Sequence, residues 1–440
     1  ITLVPSLFHV ADIVLMFEVH QPYRLRLGFR HRLAELFVEG RIVKPGDLEQ
    51  LYLNEQLNKR VFKKITDKCY LPASQLFLKL LDENEEFKVS FSFSGLLLEQ
   101  AEKWTPDLLE LFRQLASHRG VEVLEQTYYH SLAFLISEEE FKEQVREHRE
   151  AVKTLLGVDT GAFENTEFIY NNRLARLVYE MGYSVVMTEG VDRILGWRSP
   201  NYVYKAKGLD VRVLMRNYML SDDIGFRFAS RWWEEYPLTA DKYAAWLAAT
   251  PGHVICICMD YETIGEHFPR ETGIFDFFKW LPLEVLKYDN LRFATPSEAA
   301  SRHKPIAEVD VPEADTISWA DLERNLSAWL MNRMQRECFD CVVRLADAAK
   351  HSGVKEYVRL WRLLTMSDHY YYMSTKGGGP GEVHSYFSPY PTPLDAFIAF
   401  HSVLVDLEAR VYEAYRDRRE ALAWLRGLPD DLSFHFHLPN

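Results

Sequence analysis

Cysteine is scarce in these 440 residues, with five in all: Cys69, Cys256, Cys258, Cys338 and Cys341. So sparse and odd a set suggests no disulfide framework. Cys256 and Cys258 alternate in an apolar run and should share one strand face, while Cys338 and Cys341 stand at i, i+3 in a helical segment. With no second pair at zinc spacing, all five read as reduced thiols rather than metal ligands. No apolar run approaches the ~20 residues that a membrane span requires. Basic residues are outnumbered, 51 Lys and Arg against 64 Asp and Glu, for a formal charge of −13. That balance disfavours nucleic acid, which needs a clustered basic surface. There is no glycine-rich phosphate cradle and no Asp/Asn-rich loop of the kind that holds calcium, so no cofactor or metal is expected. The opening "ITLVPSLFHV" carries neither an initiator Met nor a basic signal start, leaving a cytoplasmic location as the default expectation.

Aromatic residues, by contrast, are plentiful: 27 Phe, 23 Tyr and 10 Trp. Most should build a large core; the others suit a groove for a flat, hydroxyl-rich ligand such as a sugar. Short apolar, β-branched runs recur at 13–20, 87–95, 121–127, 162–168, 183–190, 211–217 and 253–260, with another candidate at 291–298. Helix-like stretches lie between them. One of these, "SEEEFKEQVREHREAVKTLLG", opens on a Ser137–Glu140 capping box and closes at Gly157. This alternation predicts a parallel sheet covered on both faces, closed or nearly closed into a (β/α) barrel. A long helix-rich insertion follows the first strand. The Pro-containing stretch 301–316 reads as a linker, and the periodicity beyond it is helical. The expected architecture is a barrel domain over 1–300 and a helical bundle over 301–440 that completes the substrate groove.

In such barrels the carboxyl ends of the strands face the active site. The polar residues at those ends are His20, Glu122 or Glu125, Glu167, Glu189, Arg216 and Asp260. A carboxylate-rich ring with a histidine at its edge suits acid/base or glycosyl chemistry. A metal site is the competing reading, because Glu18 and His20 alternate and "DYETIGEH" supplies Asp260, Glu262 and His267. A third reading makes some of these groups structural partners of Arg216. Spacing alone leaves all three open. Within "GAFENTEFIYNN", an extended backbone would turn Glu164 away from Glu167, making Glu164 structural or solvent-facing.

"FEVHQPYRL", "VEVLEQTYYHSLAFL", "FENTEFIYNN", "MDYETIGEHF" and "WADLERNLSAWLMN" resemble, in order, the five signature blocks of glycoside hydrolase family 57. The segment "MSDHYYYMSTKGGGPGEVHSYFSPYPTPLDAF" resembles the helical part of that family's α-amylase-like branch. The resemblance implies an incomplete (β/α)7 barrel followed by a helical C-terminal domain, and action on α-glucans or malto-oligosaccharides with retention of configuration. Carried over by position, it implies Glu167 as nucleophile and Asp260 as general acid/base. His20, Glu122 and Glu262 match positions that contact sugar hydroxyls or brace that pair. His130, His267 and Trp329 lie at motif positions along the subsites, while Arg216, Asp368 and His369 are further candidates for the groove. Two positions depart from the family pattern. The first block reads Glu-Val-His-Gln-Pro where other branches carry an earlier His, which favours the amylase-like branch and weakens a His-X-His metal site. In the fifth block, Asn325 stands where an acidic residue is expected. Amylase-type hydrolysis is the leading expectation, with 4-α-glucanotransfer or branching on the same residues as alternatives. The loop at 376–392 and the insertion after the first strand are where that choice is expected to be made. A metal-dependent hydrolase and a glucan-binding protein without turnover are the alternatives from other classes.

Overall fold

The computed structural model describes residues 10–377 and 388–426. The central glycine-rich part of the loop at 376–392 and the alternating segment "LSFHFHLPN" lie outside the described residues. Among the described residues there are ten strands: β1 Ala11–Val19, β2 Val89–Phe93, β3 Val121–Val123, β4 Phe163–Glu164, β5 Val185–Glu189, β6 Tyr204–Ala206, β7 Arg212–Arg216, β8 Val254–Asp260, β9 Leu291–Phe293 and β10 Glu308–Val309. Seven of them, β1, β2, β3, β4, β5, β7 and β8, follow one another in parallel around a ring. Two seams are thin. A lone Glu125–Phe163 bridge joins the β3 and β4 segments, and a single register pair, Arg216 with Cys256, joins β7 to β8. This is the incomplete (β/α)7 barrel. β9 pairs with the lower half of β1, and β6 with β10 extends the sheet beside β7.

The period-2 pattern decides what fills the ring. In the β1 register, Met16 stands opposite Ser90 and Cys258, and Glu18 opposite Ser92 and Asp260. Val14, Met16, Leu124, Ala162, Met187, Leu214, Cys256 and Cys258 form one buried apolar cluster. Phe17 and Phe91 point the other way, into rings from Phe77, Tyr261 and Phe278. The interior is therefore apolar at its lower end. It turns polar near the carboxyl ends, where Glu18, Ser92, Glu164, Glu189, Arg216 and Asp260 follow on the inward parity.

The described residues divide into two compact units, 10–22 with 56–328 and 376–377, and 23–55 with 329–375 and 388–426. The boundary expected at residue 300 thus falls at 328, and the first part of the insertion groups with the C-terminal helices. The segment 301–328 stays with the barrel because it hydrogen-bonds there: β10 joins β6, and Ile317 bridges Tyr170. In the second unit, helices Arg333–His351, Lys355–Leu363 and Pro393–Arg426 pack together. An Asn332/Gln335 capping box starts the first of these, and the Trp361 indole N–H donates to the Val342 carbonyl at 2.9 Å. Among the described residues, no helix is long and apolar enough to cross a membrane.

Candidate active site

Glu167 sits in a short turn, Thr166–Phe168, directly after β4, with left-handed backbone angles, φ 59° and ψ 23°. Phe168 is left-handed too, at φ 53°. Non-glycine residues take this conformation rarely, and such strain gathers at functional sites. The turn aims the Glu167 carboxylate at one donor and at a histidine ring. The Trp319 indole N–H donates to Oε2 at 2.7 Å, and His130 Nε2 lies 3.5 Å from Oε1. Trp319 is fixed in turn by its backbone N–H, which donates to the Glu167 carbonyl at 3.1 Å, and by an edge-on contact with Phe168 at 4.9 Å. The Arg216 guanidinium lies 5.8 Å from the Trp319 ring centroid.

His130, itself left-handed at φ 47°, follows the β3 segment and stacks on His20 at 4.1 Å. His20 continues β1, and its Nδ1 pairs with the Ser94 hydroxyl at 2.7 Å. A buried polar chain runs beneath them: His130 Nδ1 faces Gln126 Oε1 at 3.1 Å, Gln126 Nε2 donates to Ser92, and Ser92 donates to Glu164 Oε2 at 2.9 Å. On β8, Asp260 stands opposite Glu18 in register. Glu262, two residues further on, accepts from the Gln21 amide at 3.3 Å and from the Tyr70 hydroxyl. Tyr70 ends a π-helical turn, Thr66–Tyr70, a local irregularity often found at functional sites.

Four further carboxyl groups, Glu164, Glu167, Asp260 and Glu262, therefore lie close enough to Glu18 to act on it, and three of the five are buried. Glu18, Glu164 and Glu262 are 3%, 0% and 6% exposed, whereas the Glu167 side chain keeps 18% exposure and Asp260 is likewise partly exposed. Burial, reinforced by the charges of Glu164, Glu167, Asp260 and Glu262, raises the Glu18 carboxyl well above its ordinary range. Burial is also the main cause that pushes Glu164 up to about 8, against the pull of His130. Glu262 likewise rises to about 8 through burial and then the Asp260 charge. His267, in the loop after β8, moves in the opposite direction: although it retains some exposure, desolvation lowers it to about 4, favouring the neutral ring.

These shifts have consequences for stability. Between about 4.5 and 8, folded Glu164 and Glu262 hold protons that the unfolded chain has released, so their contribution is lost as pH rises through 8. His267 works the other way, its contribution being lost as pH falls from 6.5 towards 4. The melting temperature should consequently fall between pH 6.5 and about 8 and level off above it, and Glu262→Gln should flatten that decline. Thermal melts across pH test this; an unchanged slope in the variant would contradict the buried, protonated Glu262.

Several expectations need correction. Glu164 is neither solvent-facing nor turned away from Glu167. The strand stops at Glu164, and the left-handed turn brings the next glutamate back to the same side, so alternation does not extend across the pair. Glu122 is not at the carboxyl end of its strand. It faces Ser90 in register, two residues below the level of Ser92 and Glu18, and its carboxylate accepts from the Ser297 N–H and hydroxyl and from the Ala162 N–H. A Cβ on Gly161 would come within 2.1 Å of it, so any side chain there would push the Glu122 carboxylate out of this position. Glu122→Ala would leave the part-buried Ala162 and Ser297 donors without their carboxylate, a loss of about 1 kcal/mol for each bond not replaced by water. Melting should shift downward while KM for malto-oligosaccharides stays within about twofold; a large KM change would restore Glu122 to the sugar-contact role. Glu125 faces outward, where His148, Tyr183, Thr160 and Arg149 enclose it; burial alone would raise its carboxyl, but the charge and hydrogen bond of His148 and the hydrogen bonds of Tyr183 and Thr160 hold it below the ordinary value.

Arg216 lies beside the site with its guanidinium engaged by buried carboxylates. Buried at the end of β7, it pairs with Glu189 at 2.9 Å and Asp222 at 2.5 Å and donates to the Cys258 carbonyl. Trp329, Asp368 and His369 belong to the second unit. There Trp329 is buried near Tyr371 at 6.4 Å, and His369 packs on Phe400 at 5.2 Å. Trp319 was visible in the sequence only as the first residue of "WADLERN", with no periodicity to single it out. Trp319→Phe would keep the ring and delete the N–H, removing a charge-assisted hydrogen bond of about 1.5–3 kcal/mol. If that bond serves the reacting form of Glu167, kcat should fall roughly 10- to 100-fold with little change in KM; unaltered kcat would assign Trp319 to packing alone.

The sequence profile of glycosyl hydrolase family 57 matches residues 14–312. A Methanocaldococcus jannaschii protein named "Putative alpha-amylase" is 44% identical over 406 residues, covering 90% of this chain and 84% of that protein. Among solved structures, a family-57-type branching enzyme from Pyrococcus horikoshii superposes with a TM-score of 0.63 at 13% identity, over 92% of this chain and 94% of its own. The 4-alpha-glucanotransferase from Thermococcus litoralis gives 0.54 at 19% identity, over 83% of this chain and 52% of the larger enzyme. At such identities the two structures attest the fold alone. The profile match and the archaeal relative together show that the chain belongs to glycosyl hydrolase family 57, as a glycoside hydrolase with amylase-like relatives.

Proposed function

We propose that the protein is a retaining glycoside hydrolase acting on α-1,4-glucans, with Glu167 as nucleophile and Asp260 as general acid/base. The observation that carries this reading is differential access: within a five-carboxyl cluster, Glu167 and Asp260 keep exposure, while Glu18, Glu164 and Glu262 are buried and the cluster's crowding raises their pKa values. Two carboxylates that a substrate can reach are what a double displacement needs. The Glu167 carboxylate, oriented by the Trp319 N–H, attacks the anomeric carbon. Asp260 delivers its proton to the departing glycosidic oxygen, then takes one from the incoming water as the covalent ester is cleaved. The crowded negative charge favours a shared proton inventory, so that one carboxyl can be ionised while its neighbour holds a proton. His20, stacked on His130 at the rim, suits a contact to a sugar hydroxyl, and His267 suits the same role in neutral form.

An α-glucan substrate is supported by the name of the 44% identical relative, "Putative alpha-amylase". Transfer to a second glucan would use the same two carboxylates and differ only in the acceptor. Incubation with maltoheptaose separates these outcomes. Shorter products with a matching rise in reducing ends support hydrolysis. A ladder running both shorter and longer at constant reducing ends replaces hydrolysis with glucanotransfer. Absence of turnover with binding retained would overturn the enzymatic assignment for this substrate class.

A further inference from the structure

β7 ends at Arg216, opposite Cys256, whereas β8 runs on to Asp260. The Asn217 N–H still reaches the Cys256 carbonyl, but above that level side chains take the place of the missing strand. The Cys258 N–H donates to the Ser221 hydroxyl at 3.1 Å, and the Arg216 Nε–H donates to the Cys258 carbonyl at 2.8 Å. Arg216 thereby closes the ladder two residues before Asp260. Its two terminal nitrogens are taken by Glu189 on β5, at 2.9 Å, and by Asp222 in the helix Tyr218–Gly225, at 2.5 Å. Arg324 adds a second cation 3.8 Å from Glu189 and 3.7 Å from Asp222, so two positive and two negative groups balance here. With its edge engaged, the guanidinium has a face to offer, and it lies 5.8 Å from the Trp319 ring centroid, within cation–π range. The N–H of that ring holds Glu167.

We propose that Arg216 is a positioning residue that holds Glu167 and Asp260 at their working separation, by fixing the indole that orients the one and the β8 backbone that carries the other. A retaining pair works at about 5–5.5 Å, a narrow tolerance. The two groups follow β4 and β8, which do not pair with each other. The shorter path between them round the ring, β4–β5–β7–β8, crosses the thin seam that Arg216 closes. Arginine suits the task because its planar fork meets three partners in fixed directions, which a single ammonium does not. The proposal rests on the reading of Glu167 and Asp260 as the catalytic pair.

The test is a double-mutant cycle on the whole chain, comparing Arg216→Lys, Trp319→Phe and the pair on maltoheptaose and on an aryl maltoside. Lysine keeps the charge beside Glu189 and Asp222 but cannot also close the Cys258 carbonyl and face the indole. Arg216→Lys should lower kcat on maltoheptaose about 10- to 100-fold with KM within about threefold, the scale of a small misplacement of reacting groups. Formation of the glycosyl enzyme from the aryl substrate needs no proton delivery and senses only the Glu167 arm. There the loss should be smaller, and it should add little to that of Trp319→Phe. A normal kcat in Arg216→Lys, a change carried by KM, equal losses on the two substrates, or multiplicative losses in the pair on the aryl maltoside would overturn the proposal. Should Arg216→Lys fail to fold, Arg216→Gln combined with Asp222→Asn removes the guanidinium and one carboxylate together, leaving Glu189 beside Arg324, and the same comparisons decide. Glu167→Gln and Asp260→Asn, assayed alongside, keep the two claims apart. If either is fully active on maltoheptaose, the reading of the catalytic pair has failed; if both are inactive while Arg216→Lys is normal, only the role of Arg216 has.

Discussion

Replacing Glu167 by glutamine should lower turnover of maltoheptaose by about 10⁴- to 10⁶-fold, the scale on which removal of a covalent nucleophile acts. The substitution is nearly isosteric, and the Trp319 N–H can still donate to the amide oxygen, so the left-handed turn has no new reason to unfold. Melting temperature should change by a few degrees at most, and glucan binding should persist. The amide lacks the negative charge and the lone-pair reactivity needed to form the glycosyl ester. Initial rates with oligosaccharide binding measured on the same preparation check both halves. Retained turnover would remove Glu167 from the covalent step. Loss of binding together with turnover would assign it to substrate contact instead.

Asp260→Asn should be nearly as severe on natural glucans but selective in a way that a structural lesion is not. A sugar alkoxide is a poor leaving group, so cleavage between glucose units depends on proton delivery, a contribution of about 10²- to 10⁴-fold in general acid catalysis. An aryl maltoside with a strongly acidic phenol leaves without that help. The variant should therefore lose far more activity on maltoheptaose than in forming the glycosyl enzyme from the aryl substrate. Equal losses on both would show that Asp260 serves the fold or the neighbouring carboxyls. Asp260 also contributes to the raised pKa of Glu18 and Glu262, and the uncharged amide introduced by Asp260→Asn would relieve that repulsion. Stability of the variant should be preserved or increased, which distinguishes a lost proton donor from a damaged core.

Much of this was legible in the sequence because strands in a covered parallel ring announce themselves as apolar runs, and their polar final residues have a topologically fixed location. His20, Glu167 and Asp260 were found by that logic before any structural comparison, and the signature blocks selected the same positions. The errors came from places where local pattern and tertiary position part company. Glu122 was read as a strand end because its run continues to residue 127. Its depth in the barrel is set by which residue of β2 it pairs with, and register is a property of two strands rather than one. Glu164 was assigned to the wrong side because period-2 alternation was carried across a turn that breaks it.

What the sequence by itself determined is the order of strands, the family and the presence of a carboxylate-rich rim on one end of the barrel. Only the tertiary structure decided which of those carboxylates are reachable, because exposure depends on neighbours contributed by distant segments: Tyr70 and Gln21 over Glu262, Ser92 against Glu164, His130 between Glu18 and Glu167. The same holds for Trp319, 152 residues from Glu167, whose indole reaches the carboxylate because the segment carrying it returns to the barrel. Charge and hydrogen-bonding capacity are written residue by residue. Desolvation and proximity, which set how readily each of those residues ionises and what it can reach, arise only when the chain has closed on itself.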